Sequence, residues 1–156
     1  SPFYFHTVHI MSIKGFLNEE EEQAVVQAIS KAELNTSGEI RLHLENRCKG
    51  DVVNRAKQVF SDLEMFKTKD KNGILIYIAL IDHKLCIWGD EGIHAKLGQS
   101  FWDSEVSTLI KTFKENKFKD GLVKVIETIG SKLGELFPYQ SDDVNELDND
   151  ISFNAN

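Results

Sequence analysis

Apolar residues recur at helical spacing along most of the chain, and the polar residues between them mark helix starts and turns. Between positions 25 and 32 this spacing predicts an amphipathic helix over residues 18–35. Asn18 can cap that helix, and Glu21 stands at its third position, where its side chain completes a capping box. The same spacing predicts three further long helices, which begin near Asp51, Phe101 and Asp120.

Two segments follow an extended pattern instead. In residues 39–45 apolar side chains alternate with polar ones, which predicts a strand with one apolar and one polar face. Residues 74–80 are apolar at every position apart from a tyrosine hydroxyl, which predicts a central strand covered on both faces. A turn signal at 82–83 then predicts a hairpin to a third strand over 84–88, followed by a short helix over 93–97.

This order of elements predicts an α/β fold, a three-layer α/β/α sandwich on a small mixed β-sheet, with the first and central strands joined by a helical crossover. We expect one domain over residues 16–138, preceded by an N-terminal extension over residues 1–15. Because Met11 could be the native start, His6 and His9 are not counted as ligands.

An acidic tail over residues 139–156 is expected to follow the domain. Its residues Val144, Leu147 and Ile151 stand at helical spacing, which predicts a short amphipathic helix. So short a helix is marginal in water, and like charges crowd it. We therefore expect the tail to be mobile or loosely docked, and its removal to leave the melting temperature nearly unchanged.

Composition limits the classes of protein to which the chain can belong. Its 156 residues are 41% hydrophobic and 28% charged, as in ordinary globular domains. The 18 basic and 25 acidic residues give a net charge of −7, which repels nucleic-acid phosphates and anionic lipids, so we expect no nucleic-acid partner. No apolar run approaches the roughly 18 residues of a membrane span. Cys48 and Cys86 form no CxxC pair, as is common in a reducing compartment, and we expect a cytoplasmic monomer.

Several motifs that carry chemistry are absent from the sequence. There is no GxGxxG and no GxxxxGK[ST], and the two acids of segment 89–92 (GDEG) would repel a phosphate, so we expect no nucleotide cofactor. There is also no GxSxG, no HExxH and no cluster of Cys and His ligands, which argues against the common hydrolase and zinc sites. His83 and His94 stand alone in the sequence and indicate no site.

An oxygen-rich end of the sheet is the main candidate site. If the first and central strands run parallel and the third returns antiparallel, residues 37–39, 70–73 and 89–91 meet at one end. Hard divalent cations bind carboxylate and carbonyl oxygens in such clusters, with about six to eight ligands for calcium. The alternative is that these are solvated turn residues, since turns favour Asp, Asn and Gly for backbone reasons.

The polar face of the first strand has two interpretations. We interpret it as the wet face of an outer strand. The alternative is that its histidine carries protons, because imidazole titrates near neutral pH. The face consists of Glu39, Arg41, His43 and Glu45.

Four short segments carry a resemblance to a known family: 36–40 (TSGEI), 72–76 (NGILI), 89–93 (GDEGI) and 118–122 (FKDGL). In this order and spacing the chain resembles the TPM domain family over residues 16–138. The family includes a thylakoid-lumen photosystem II repair protein, a nematode acetylcholine-receptor modulator and many bacterial proteins. Many members have a signal peptide, a membrane anchor or a glycine-rich tail, and we find none here. The chain is therefore expected to be most similar to the short cytosolic bacterial members.

The resemblance implies a fold, an activity and a set of ligands. The fold is the α/β/α sandwich of the family, and the activity proposed for some members is acid phosphatase with divalent-metal binding. The acidic and Asn-Gly positions of the family fall on Asn72, Asp90 and Glu91, with Glu39 less securely placed. These four residues are the metal ligands that the resemblance implies, for Ca²⁺ or Mg²⁺.

Two functional hypotheses follow. We favour a non-catalytic interaction module that binds a divalent cation and engages a protein partner, because a fold resemblance alone does not establish a reaction. The alternative is a metal-assisted acid phosphatase, in which the cation would polarise the phosphoryl oxygens. The sequence shows no recognisable phosphatase nucleophile, and no catalytic residue can be assigned.

Overall fold

The computed structural model describes residues 13–139 and 151–156. The first elements of this part are α1 (Ile13–Phe16), α2 (Glu19–Glu33), β1 (Glu39–Glu45) and α3 (Val52–Asp62). A 3-10 turn (Met65–Lys67) leads to the hairpin of β2 (Gly73–Ala79) and β3 (Lys84–Gly89). The remaining elements are α4 (Glu91–Leu97), α5 (Gln99–Lys114), α6 (Phe118–Leu136) and β4 (Ser152–Asn154).

A four-stranded mixed sheet, in the order β3-β2-β1-β4, forms the middle layer. Strands β1 and β2 are parallel, with Ile40 opposite Ile74, and β3 returns antiparallel to β2. Helices α2, α5 and α6 pack on one face, and α3 packs on the other, where Tyr77 is buried. The predicted α/β fold with three layers and a buried β2 is confirmed. Among the described residues, no helix is long and apolar enough to cross a membrane.

Local chemistry determines where the first long helices begin. The Asn18 Oδ1 atom accepts a hydrogen bond from the Glu21 N–H at 2.8 Å, and Glu21 Oε1 accepts from the Asn18 N–H at 3.0 Å. This is the predicted capping box, and it satisfies two N–H groups that the helix itself leaves free. Asp51 caps α3 with a single hydrogen bond, which its side chain accepts from the Asn54 N–H at 2.9 Å.

The start of α6 differs from the prediction. Asp120 does not cap this helix but lies in its first turn, and Lys117 holds the cap position. The first turns of α6 pack tightly against α5, since a Cβ on Gly121 would overlap the Thr112 hydroxyl. Asp120 still faces the positive end of the helix dipole there, which explains its acidic side chain.

Three of the four polar residues on this face of β1 are buried and Arg41 is half-buried, so the interpretation as a wet outer face is wrong. Strand β1 has β2 on one side and β4 on the other. Glu39, His43 and Glu45 are 3%, 6% and 0% exposed. Partners on other elements make this burial possible, since Arg55 of α3 and the Tyr77 hydroxyl both bind Glu45. A polar pattern within one strand does not reveal such partners.

The end of the tail forms a strand, which the sequence does not predict. Ser152–Asn154 forms β4, which pairs parallel with β1. Ile151, one of the residues with helical spacing, is 8% exposed and packs on the main core. Val144 and Leu147 lie outside the described residues, as do His6, His9 and Met11.

Candidate functional site

Three loops meet at one end of the sheet, as the sequence predicts. The Glu39 N–H donates to the Asn72 carbonyl at 3.4 Å, and the Asp90 N–H donates to the Gly73 carbonyl at 2.9 Å. The Ile93 N–H, in the first turns of α4, donates to the Lys71 carbonyl at 3.2 Å. Backbone hydrogen bonds therefore hold the three loops together. We call the polar residues gathered there the loop-end site; they are Ser37, Asp70, Asn72, Asp90 and Glu91.

Asn72 is the most buried member of the loop-end site, at 1% exposure. Its side-chain amide donates to the Ser37 hydroxyl at 3.1 Å, and that hydroxyl donates to Asp70 Oδ2 at 3.2 Å. Because the Ser37 proton is directed to Asp70, the amide nitrogen of Asn72 must face Ser37. The Asn72 Oδ1 atom then points away, and it is buried with no hydrogen-bond partner in the described part of the chain.

Asp90 contributes a second oxygen of the same kind. It is the N-cap of α4, where its Oδ1 atom accepts a hydrogen bond from the Glu91 N–H at 2.8 Å. The Asp90 Oδ2 atom is buried and finds no hydrogen-bond partner among the residues described. A buried acceptor without a donor costs about 1–3 kcal/mol, so two of them at adjoining loops mark this place as a candidate site for a ligand.

The backbone approaches closely at Gly92, which fixes the position of Asp90 and Glu91. A Cβ at position 92 would overlap the Asp70 carbonyl oxygen and come within 2.6 Å of the Lys71 carbonyl oxygen. Only glycine therefore lets α4 begin directly against residues 70 and 71. Lys71 itself has a φ of 51°, in the left-handed region that residues with a side chain seldom occupy. Strained backbone of this kind is concentrated at functional sites.

Glu39 lies beside the loop-end site, but its carboxyl group is engaged elsewhere. It is 3% exposed and forms a hydrogen bond with Glu33, at the end of α2. Burial of Glu33, together with this hydrogen bond and the charge of Glu39, raises the pKa of Glu33 to about 9. The two carboxyl groups therefore share a proton at neutral pH. The sequence gives no sign of this pair, because Glu33 has the pattern of any polar residue on a helix.

The remaining predicted ligand, Glu91, is exposed in the first turn of α4. Within the described ranges, no group of three or more His, Cys, Asp or Glu side chains is arranged to hold a metal ion. Any cation at the loop-end site would therefore depend on the Asn72 amide oxygen and on water as well as carboxylates. Asn72, Asp90 and Glu91 are brought to one place, and their role as ligands stays a prediction.

A second polar cluster lies at the other end of β1. Glu45 accepts hydrogen bonds from Arg55 Nε at 2.8 Å and Arg55 Nη2 at 2.7 Å, and a further one from the Tyr77 hydroxyl. Burial disfavours the charge of Glu45, but the hydrogen bonds from Arg55, Tyr77 and His43 outweigh burial and hold its pKa at about 2. Glu45 is thus a buried carboxylate with full hydrogen bonding, as a charge in a core requires.

His43 connects this cluster to the tail. Its Nε2 atom lies 3.2 Å from Glu45 Oε1, and its Nδ1 atom lies 2.7 Å from Ser152 Oγ. Burial lowers the pKa of His43, so the ring is neutral at physiological pH. A neutral ring that donates from Nε2 to Glu45 must accept at Nδ1 from the Ser152 hydroxyl. The sequence carries no signal for this contact, because Ser152 is distant in the chain and lies in a tail that is expected to be mobile or loosely docked.

Comparison with solved structures shows what the fold is similar to. The BA42 protein from the psychrophilic bacterium Bizionia argentinensis is 47% identical, with a TM-score of 0.84 over 92% of this chain and 99% of that chain. The N-terminal domain of a protein from P. gingivalis is 15% identical, with a TM-score of 0.68 over 83% of this chain and 85% of that one. The N-terminal domain of the cg2496 protein from Corynebacterium glutamicum is 12% identical, with a TM-score of 0.63 over 86% and 84%. The last two show the shared fold alone.

Comparison of the sequence gives the family. No match was found among curated proteins. The TPM domain family matches residues 10–132, most of the chain, in agreement with the resemblance carried by the four short segments. The chain therefore belongs to the TPM domain family.

Proposed function

We propose that the protein is a divalent-cation-binding interaction module, with Ca²⁺ or Mg²⁺ bound at the loop-end site. The observation that supports this is the pair of buried oxygens, Asn72 Oδ1 and Asp90 Oδ2, that lack donors among the described residues. Amide and carboxylate oxygens are the ligands that hard cations prefer. A cation between the loops would satisfy both acceptors. If these were ordinary turn residues, hydrogen bonds would be expected to satisfy their buried oxygens, and no cation would be needed.

The small number of carboxylates determines the expected affinity. Asp90 and Glu91 would supply the negative charge, Asn72 a neutral oxygen, and water the remaining positions. Sites with few charged ligands bind calcium weakly, with dissociation constants of about 10⁻⁴–10⁻³ M. Glu39 shares a proton with Glu33, so it would join the ligands only after that proton is lost. Affinity should then rise as the pH approaches 9, the pKa of Glu33.

The proposal is tested by titrating Ca²⁺ and Mg²⁺ into the protein and following backbone amide shifts. We expect the amides of Asn72, Asp90 and Glu91 to move at millimolar cation. Asp90→Asn removes a negative ligand but keeps the cap, since Asn caps helices as well as Asp. It should weaken binding by about tenfold or more, the effect of ~1.4 kcal/mol.

Asp51→Asn is the matched control, because it makes the same change at the cap of α3, away from the loops. This control should bind cations as the wild type does. Loop-end amides that stay still at millimolar Ca²⁺ and Mg²⁺, or equal weakening by both variants, would contradict a cation site there.

The alternative function is a metal-assisted phosphomonoesterase at the same place. One observation favours it, namely the Ser37 hydroxyl that donates to Asp70 at 3.2 Å. A hydroxyl hydrogen-bonded to a carboxylate beside a cation has the components of an attacking group. The two functions are separated by Mg²⁺-dependent hydrolysis of p-nitrophenyl phosphate. The module predicts no hydrolysis above background, and the phosphatase predicts hydrolysis that Ser37→Ala abolishes.

A further inference from the structure

The C-terminal strand is held to β1 by polar side chains at alternating positions. Ser152 contacts His43 Nδ1 at 2.7 Å, and Asn154 Nδ2 donates to Glu45 Oε1 at 3.3 Å. The backbone pairing is short, since it matches only His43, Leu44 and Glu45 with the three residues of β4. Side chains two apart project on the same side of a strand, so Ser152 and Asn154 both face the polar cluster.

Asn156 extends this pattern by two more residues. Its Oδ1 atom accepts hydrogen bonds from the backbone N–H groups of Asn46 at 3.1 Å and Arg47 at 3.3 Å. Its Nδ2 atom donates to the Arg47 carbonyl at 3.0 Å. One amide side chain thus satisfies three backbone groups just beyond β1. Every second residue of the sequence Ser-x-Asn-x-Asn therefore forms side-chain hydrogen bonds with β1 or the residues that follow it.

The two large apolar residues that alternate with these polar ones, Ile151 and Phe153, differ in their exposure. Ile151, just before the strand, is 8% exposed and anchors it in the core, whereas Phe153 is 46% exposed. The polar side chains of the strand form hydrogen bonds to one row of groups on β1 and its continuation. We call that row the β1 edge; it consists of His43, Leu44, Glu45, Asn46 and Arg47.

We propose that the β1 edge is a peptide-binding surface for an extended Ser-x-Asn-x-Asn segment, and that the tail of a second copy binds there by strand exchange. The segment seated on the edge belongs to the chain itself, so every copy carries both the surface and its ligand. Addition of an extended strand to a sheet edge is a common mode of recognition, and exchange of identical elements is a low-cost route to dimers.

The connection between α6 and β4 decides which copy supplies the tail. Residues 137–151 join the two elements, and a connection of that length can reach at most about 50 Å. A covalent connection of this length gives an effective concentration of about millimolar, so the chain's own tail occupies the edge in dilute solution. A connection too short to span the distance from α6 to β4 would leave the β1 edge open to the tail of a second copy.

The test is a full chain from which residues 142–147 are deleted. We expect this variant to be dimeric by light scattering at protein concentrations where the wild type is monomeric. The matched control has the same deletion together with Ser152→Ala, Asn154→Ala and Asn156→Ala, and it should be monomeric. A shortened chain that stays monomeric would overturn the exchange, and so would dimers that persist in the control.

A second measurement tests the surface independently of dimerisation. The acceptor is the full-length chain with Ser152→Ala, Asn154→Ala and Asn156→Ala, and the probe is a peptide of residues 148–156. We expect the peptide to shift the amides of the β1 edge in this variant, and to bind the wild type at least about tenfold more weakly because the wild-type tail competes. A peptide carrying the three alanines should not bind. Equal binding by both peptides, or no shift with the natural one, would overturn the proposal. Neither result depends on the cation site.

Discussion

Arg55 of α3 binds Glu45 of β1 through two hydrogen bonds, Nε to Oε2 at 2.8 Å and Nη2 to Oε1 at 2.7 Å. The Glu45 carboxylate is fully buried, whereas the Arg55 side chain keeps 27% of its surface exposed. The pair joins the helix on one face of the sheet to a strand inside it. If the pair were separated, Glu45 would be left as a buried charge without its partner, whereas Arg55 would still be in contact with water.

We expect Arg55→Ala to lower the free energy of unfolding by about 3–5 kcal/mol, because Glu45 would remain in the core without its main counter-charge. Urea unfolding of both proteins measures this loss. Arg47→Ala is the control, since Arg47 pairs with Asp82 at 3.3 Å but is 57% exposed. An exposed pair contributes up to about 1 kcal/mol. A similarly small loss for Arg55→Ala would mean that Glu45 is compensated by its other partners.

Stability should also depend on pH through Glu33. Burial and the hydrogen bond to Glu39 raise the pKa of Glu33 from 4.5 to about 9, so folding favours its protonated form. This contribution is complete below about pH 4.5 and is lost as the pH rises towards 9. We expect Glu33→Gln, which mimics the protonated group, to flatten the decline in melting temperature between those values. Glu64→Gln, at an exposed pair with Lys67, should leave the decline as it is.

The close contact at Gly92 predicts a strong effect from one methyl group. Gly92→Ala would place a Cβ against the Asp70 and Lys71 carbonyl oxygens, so either α4 or the loop must move. We expect a loss of about 1–3 kcal/mol in urea unfolding, as for other overpacked positions. Gly134→Ala is the matched change in α6, where the nearest atom would be at 3.4 Å. That variant should be neutral or stabilised by up to ~1 kcal/mol, since Ala is the better helix former.

Truncation after Tyr139 now has a different expected outcome from the one the sequence suggested. It removes β4, and with it the hydrogen bond at His43 Nδ1 and the buried side chain of Ile151. We expect the melting temperature to fall by roughly 5–10 °C, as a loss of a few kcal/mol would produce in a domain of this size. Phe153→Ala in the full chain, at an exposed position, should change it little. An unchanged melting temperature after truncation would restore the expectation of a loosely docked tail.

The parts of the fold that the sequence predicted are those set by neighbouring residues. Asn18 and Asp51 cap the helices that follow them, because a cap and its N–H partner lie within three residues. Strand β2 could be recognised because every residue in it is buried. A continuous apolar run identifies such a strand even when its neighbours in the sheet are unknown. The meeting of the three loops followed from strand order alone. Local sequence thus predicts elements and their order well.

The features that were missed depend on residues far apart in the chain. Glu45 is buried because Arg55 and Tyr77 reach it from α3 and β2, and Glu33 is paired because α2 ends against the start of β1. Strand β4 was missed because its three residues carry no strand pattern of their own, and they form a strand only by pairing with β1. In the loop-end site, Asn72 Oδ1 and Asp90 Oδ2 lack hydrogen-bond donors among the described residues. This can be recognised only when the positions of all the donors around them are known.

The buried polar face of β1 has a consequence for how the sheet assembles. In the native pairing, His43 lies opposite Tyr77 and Glu45 opposite Ala79. A slip of one residue would turn each side chain to the opposite face, so Glu45 would enter the apolar layer beneath α2 and α6, away from Arg55. Parallel strands joined by a helix have no tight turn to fix their alignment. The charge on Glu45 penalises the misaligned sheet far more than the native one, and it thereby selects a single alignment during folding.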